Sequence, residues 1–305
     1  MRQVNSEKRF VNSEKRFKAI CAVIMILFAA FCVLPFILMI SASITEESAL
    51  MNFGYKFIPK KLSFDAYKYL WAKRETIGRA YYITIIVTLI GTTLNVIITS
   101  MFAYPLSRTD FKPRHFFAFF IFFTMLFNGG MTASYIIWTQ FFHIKNTIWA
   151  LLFPNYLMSG MNVLLVRNYY VGSIPTSILE AARIDGASEM KIYRRVLLPL
   201  SKPVIITVAM FAGMAYWNDW SNAMYYITNQ KLYSINAYLN NLQNNIKLLS
   251  MQSSMTEGIN LQGLSLPTIG ARMAIAMIAV LPVLVIFPFI QAELIKGVVI
   301  GGVKG

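Results

Sequence analysis

The sequence predicts an all-α integral membrane protein of six transmembrane helices, with both termini cytoplasmic and a cytoplasmic helical loop between helices 4 and 5. Three observations carry this expectation. Of the 305 residues, 57% are hydrophobic and 13% charged, where soluble globular chains carry about 25% charged residues. Six runs reach the roughly 20 mostly apolar residues that a bilayer crossing needs. Between the fourth and fifth runs lies EAARIDGASEMKIYRRVLLPLSKP, residues 180–203, with charges of both signs, an Asp-Gly break and two prolines.

Taken in order, residues 1–18 form a basic cytoplasmic segment. VNSEKRF occurs there twice, at 4–10 and 11–17; the repeat has no functional account beyond the basic flank that Lys8, Arg9, Lys15, Arg16 and Lys18 supply to the first span. That span, 19–41, contains Pro35 and is too long for a simple signal peptide, so it reads as a retained helix. An external loop over 42–82 includes DAYKYLWAKRE, which suits a short interfacial helix. A helical core then runs over 83–300, with spans at 83–106, 116–138, 147–166, 204–227 and 273–295. The loop 167–203 is cytoplasmic, 228–272 is external and 296–305 is a cytoplasmic tail. Prolines inside spans (Pro35, Pro282, Pro288) are tolerated where neighbouring helices re-satisfy the freed carbonyls.

Orientation follows from the basic residues, which collect in inside loops. With the N-terminus inside, 17 of the 28 Lys and Arg fall in inside segments, although Lys56 to Arg79 crowd the first external loop. The net charge of +15 is therefore a topology signal, and no nucleic-acid partner is implied. Cys21 and Cys32 lie in one apolar stretch without CxxC spacing and read as small apolar residues. The external loop 228–272 is rich in Asn and Gln (NAYLNNLQNN) and fits either an outer vestibule or a solvated connector.

The 167–203 loop reads as two short helices. Pro175 starts the first. Ser177 and Glu180 have capping-box spacing, and Ala181 and Ala182 are strong helix formers that permit close approach. Asp185-Gly186 ends that helix, since glycine adopts the left-handed conformation readily. Ser188 can cap the second helix, in which Met190, Tyr193 and Leu197 recur at helical spacing. Pro199 and Pro203 lead into the fifth span. A helix with small residues and carboxylates, held parallel to the membrane, suits docking into a groove on a soluble partner; a merely connecting helix fits the pattern equally well.

This loop resembles the EAA loop of ABC-importer permeases, through Glu180, Ala181, Ala182, Gly186, Val196, Leu198 and Pro199. Val196 departs mildly from the usual Ile. The fuller string is similar to the carbohydrate-uptake branch, the maltose-type inner permeases. The WND of Trp217–Asp219, the FP of Phe287–Pro288 and the ending GVVIGGVKG resemble it too. The resemblance spans roughly residue 80 to the end. It implies a bacterial plasma-membrane, multi-pass subunit that pairs with a second, related permease and with two ATPase subunits. An extracellular solute-binding protein would deliver the sugar. The loop, with Glu180, Ala181, Ala182, Asp185, Gly186 and Ser188, would sit in an ATPase cleft and convert ATP-driven closure into alternating access. Residues 301–305 would reach the ATPase pair as well.

Catalytic chemistry is not expected. The chain has no Walker-type phosphate loop, so ATP and Mg would bind on the partner ATPases. His115 and His143 are isolated and lack metal-ligand spacing. Polar residues inside spans usually face a cavity or another helix, which singles out Asn95, Asn128, Trp217, Asn218, Asp219, Trp220, Asn222 and Tyr225. Aromatic faces for sugar C–H surfaces and amides for hydroxyls make a plausible oligosaccharide path. The same residues suit interfacial anchoring and helix–helix glue. The competing readings are an ABC permease for another solute such as a peptide, an ion-driven secondary transporter, for which Asp219 alone is a weak midplane candidate, and, last, a membrane scaffold or sensor.

Overall fold

The computed structural model describes residues 2–255 and 268–302. All of its regular elements are helical, and one isolated antiparallel bridge pairs Thr45 with Leu62. The elements are α1 (Arg2–Ser43), α2 (Glu47–Phe53), α3 (Asp65–Ala72), α4 (Arg74–Ser107), α5 (Arg114–Leu126), α6 (Gly130–Ile136), α7 (Trp149–Leu152), α8 (Gly160–Ser173), α9 (Thr176–Ile184), α10 (Glu189–Ile192), α11 (Leu198–Leu200), α12 (Lys202–Trp217), α13 (Ser221–Tyr226), α14 (Ile235–Met255) and α15 (Thr268–Gly302). A π-helical turn, Ile137–Phe141, continues α6, and another, Tyr193–Leu197, joins α10 to α11. The chain divides into two compact units: the described residues of Met1–Lys73 with Leu249–Ile278, and of Arg74–Leu248 with Ala279–Gly305.

Among the described residues, three continuous segments are long and apolar enough to cross a bilayer: Lys15–Ser43, Arg74–Ser107 and Ile269–Ile286. Two bent pairs add to them: α5 with Gly130–Phe141, bent by 112°, and Glu189–Leu200 with α12, bent by 83°. The expected runs at 19–41, 83–106 and 273–295 thus lie within single helices. The run at 116–138 does not, because the chain turns at Phe127–Gly129, where the Asn128 side chain accepts from Gly130 N–H (2.8 Å) and Gly130 takes φ +80°. The expected fifth run, 204–227, ends as a helix at Trp217, and α13 restarts only at Ser221.

The largest correction concerns 147–166. Instead of one helix it forms the single turn α7, an irregular stretch at 153–159, and then α8, which runs on to Ser173. Pro154 has no N–H to continue α7, Asn155 sits at φ +67°, a conformation Asn tolerates better than most residues, and Gly160 starts α8. A Cβ at Gly160 would come within 2.9 Å of Met125 Cγ on α5, so α8 rises only because that position is bare. DAYKYLWA is helical as expected. The 228–272 segment is not an open loop but carries α14 over 21 residues; its 256–267 part lies outside the described residues.

In the unit beginning at Arg74, α4 is the central helix. One apolar cluster joins its end (Ala103, Tyr104, Leu106) to α8 (Val163, Val166, Tyr170), to Tyr193 and Leu197, and to α12 (Val204, Val208). A second joins its first half (Ile83, Val87) to α7, Tyr216 and α13. Close approach of α4 and α12 depends on two glycines. A Cβ on Gly91 would run into the Tyr216 ring, and one on Gly213 would stand 3.3 Å from Thr92 Oγ1. Gly91→Ala is therefore expected to overpack this seam by about 1–3 kcal/mol, seen as a lowered thermal midpoint of the detergent-solubilised protein. An unchanged midpoint would contradict this packing.

Candidate functional site

The 153–159 break is held from three helices. Tyr216 of α12 donates its hydroxyl to the Leu152 carbonyl (2.8 Å). Asn222 of α13 donates to the Pro154 carbonyl (3.0 Å), and Asn95 of α4 donates to the Tyr156 carbonyl (2.7 Å). Asn155 donates to the Asn222 amide oxygen (3.1 Å). Carbonyls released from a helix inside hydrocarbon must find protein donors, and each of these donors is itself fixed. Tyr216 is 2% exposed and Asn222 and Asn95 are 0% and 2% exposed, so none of them can be replaced by water without rearrangement.

The predicted pathway residues separate into two groups around this break. Trp217, Asp219 and Asn222 are buried. Trp217 donates its indole N–H to the Ala279 carbonyl (3.2 Å). Asp219 Oδ1 accepts from Ser221 N–H (3.0 Å), Ser221 Oγ (2.9 Å) and Asn222 N–H (3.2 Å), so it starts α13. Tyr156 Oη also reaches it (3.4 Å). Asn128, Asn218, Trp220 and Tyr225 are exposed. Asn128 stands at the α5–α6 bend, while Asn218, Trp220 and Tyr225 follow α12.

In the loop at 167–203, α9 ends as expected. Gly186 has φ +75°. Its N–H donates to the Arg183 carbonyl (2.9 Å), and Ala187 N–H donates to the Ala182 carbonyl (3.0 Å). These two bonds are the pair of a Schellman motif, with glycine in its left-handed position. The expected capping box is absent: Pro175 occupies the N-cap, helix begins already at Thr176, and no side chain caps it. Ser188 does precede α10, in extended conformation, but caps it with no side-chain bond. No residue of α9 is buried. Glu180, Ala181, Asp185, Gly186 and Ser188 are exposed, with Ala182 partly covered, and Ile184 is 87% exposed.

The loop also carries a network that residue spacing did not reveal. Glu189 Oε2 accepts from Tyr104 Oη (2.5 Å) and Arg108 Nη1 (3.3 Å), both from the end of α4. Its Oε1 accepts from Arg183 Nε (2.8 Å) at the end of α9. Arg108 also grips Asp110 through Nε (2.7 Å) and Nη2 (2.5 Å), and Arg183 Nη1 lies 3.6 Å from Asp110 Oδ2. Hydrogen bonding from the Arg108 guanidinium holds the Asp110 carboxyl below its ordinary pKa. A depressed carboxylate pKa adds stability above the ordinary value of about 4 and loses it as pH falls through the lowered one. Beside the network, Ser100 Oγ and Tyr193 Oη share a hydrogen bond of 2.6 Å. The alternating charges at 183–195 were a signal in the sequence, but their partners lie about 80 residues away.

Among the described residues, no group of three His, Cys, Asp or Glu side chains could hold a metal ion. A bundle of apolar helices with a broken span and an exposed helical loop is the architecture of a membrane permease. Residues 115–299 match the family described as binding-protein-dependent transport system inner membrane component. The chain is 34% identical over 281 residues to the polygalacturonan/rhamnogalacturonan transport system permease protein YtcP of Bacillus subtilis (strain 168), covering 92% of this chain and 96% of that one. It is 26% identical over 282 residues to the trehalose/maltose transport system permease protein MalG of Thermococcus litoralis, covering 92% and 94%. A crystal structure of a bacterial ABC transporter involved in the import of the acidic polysaccharide alginate contains a chain that superposes with a TM-score of 0.76 at 27% identity, covering 92% and 97%. The chain belongs to the family of binding-protein-dependent transport system inner membrane components, as the EAA-like loop indicated.

Asn222→Leu removes the donor to Pro154 while keeping side-chain volume. The buried carbonyl left unpaired is expected to destabilise the protein by about 1–3 kcal/mol, again read as a lower thermal midpoint in detergent. Tyr216→Phe is expected to act in the same direction through Leu152.

Proposed function

We propose that this chain is a translocation subunit of an ATP-driven, binding-protein-dependent ABC importer for a carbohydrate, of oligosaccharide size. The observation that carries the reading is the loop helix α9. It is short, terminated by the Schellman turn at Gly186, and buries none of its residues. Glu180 is exposed and forms no ion pair among the described residues, so it is available to a cationic groove. Family membership and the names of the relatives, which are carbohydrate permeases of several kinds, support the importer class and the substrate class.

In this reading the chain crosses the membrane six times with both termini cytoplasmic, and the α7–α8 segment supplies the fourth crossing. A second, related permease completes the pathway, two ATPase subunits bind below, and an extracellular solute-binding protein delivers the sugar. The chain is not itself an enzyme; ATP and Mg are bound by the ATPases. Glu180, Ala181, Ala182, Asp185, Gly186 and Ser188 form the docking element. Exposed Ile184 adds an apolar contact surface beside them. Asn128, Asn218, Trp220 and Tyr225 line the sugar pathway, and Trp217, Asp219 and Asn222 hold that wall in place. The reach of residues 301–305 toward the ATPase pair belongs to this proposal too; 303–305 lie outside the described residues.

Gly186→Trp puts a large side chain where φ is positive and where a partner surface must close. It is expected to abolish substrate uptake and co-purification of the ATPase, while the permease itself still inserts in the membrane. Glu180→Lys is expected to do the same by charge reversal. Wild-type uptake in both variants would sink the docking role. Uptake that collapses with an uncoupler at constant ATP would replace the importer reading with a secondary transporter.

A further inference from the structure

We propose that Glu189 is the positioning residue that carries movement of α9 into α4, acting as the shared carboxylate of a clamp between the two helices. The inference rests on the importer reading above and adds a residue outside the EAA-like motif. Its basis is how little else holds α9. That helix buries none of its residues; Leu179 packs at the edge of an apolar cluster, and its ion pairs among the described residues run from Arg183 to Glu189 and Asp110. Glu189 starts α10, just beyond the Schellman turn, and uses both carboxylate oxygens. One takes Arg183 from α9, and the other takes Tyr104 and Arg108 from the end of α4.

The four ionic groups balance, two guanidinium groups against two carboxylates, so removing Glu189 leaves two cations facing Asp110 alone. The Arg108 side chain is only 12% exposed, which makes its lost partner hard for water to replace. A planar guanidinium that bridges two carboxylates also fixes direction, not only distance. Displacement of α9 is thereby passed to the α4 terminus instead of being absorbed in a flexible turn.

From there the path is continuous. α4 is pinned to α12 at Gly91–Tyr216 and Thr92–Gly213. Its Asn95 holds the Tyr156 carbonyl in the broken span, and Tyr216 holds the Leu152 carbonyl. A shift of α4 therefore acts directly on the 153–159 break, next to the proposed pathway wall. Continuity becomes coupling only where both ends bias the same element, and uptake per ATP hydrolysed reads that directly.

The experiment uses the complete transporter, purified with its partner subunits and reconstituted in liposomes with its binding protein. ATP hydrolysis and sugar uptake are measured on the same preparation. For Glu189→Gln, the complex is expected to co-purify intact and to hydrolyse ATP, while uptake per ATP falls about tenfold. Glu189→Asp, which keeps the charge, is expected to recover part of the ratio. Tyr104→Phe, which deletes one donor and no charge, gives a milder loss of the same ratio and serves if Glu189→Gln fails to assemble. An unchanged ratio in Glu189→Gln and Tyr104→Phe would overturn the clamp, as would hydrolysis and uptake falling in parallel. A wild-type chain that purifies without any ATPase would instead overturn the importer reading itself.

Discussion

A backbone carbonyl that leaves a helix within a bilayer has no water to turn to, and an unmet one costs several kcal/mol. Much of this fold is arranged around that constraint at residues 153–159. The break exists because Pro154 cannot donate and Asn155 bends the chain through positive φ. It is tolerated because Tyr216, Asn222 and Asn95 each reach one carbonyl. Those three donors come from three helices, so satisfying the break also sets how α4, α12 and α13 stand relative to α7 and α8. Gly91 is bare because the Tyr216 ring must pass it, and Asp219 starts α13 so that Asn222 can face Pro154.

The loop at 167–203 works by the opposite arrangement. Its first helix is uncovered, and what shapes it is local: a Schellman turn with glycine in the one position where a Cβ would be strained. What orients it is a compact charge network instead of an apolar core. Partly exposed ion pairs contribute little to stability, but several sharing one carboxylate can define geometry. Stability in the apolar interior and orientation through charge at its edge thus fall to different residues.

Family membership places these features in a membrane permease, and it bears on how polar residues in apolar helices are read. The group singled out around Trp217–Tyr225 mixes two physical situations that composition does not distinguish. Asn222 and Asp219 are buried and bonded within the molecule; Asn218 and Trp220 are exposed. An amide in a span is either glue or lining, and the difference is whether a donor or acceptor stands opposite it.

The sequence by itself determined the membrane class, the long helices at 19–41, 83–106 and 273–295, and the helix–turn–helix around Asp185-Gly186. Each follows from local properties: run length, hydropathy, and the need for glycine at φ +75°. Pro154, Asn155 and Gly160 were visible as punctuation, yet run length alone read 147–166 as one helix, because hydropathy does not register a break. Likewise Ser177 and Glu180 had the spacing of a capping box, but Pro175 took the N-cap and started the helix two residues early. Only the tertiary structure decided which carbonyls of the break are capped and that Glu189 meets Tyr104, Arg108 and Arg183. Apart from Arg183–Glu189, which are six positions apart, these pairings join residues 61 to 85 positions apart, and no local pattern encodes them; they exist because helices packed side by side bring one donor to one acceptor.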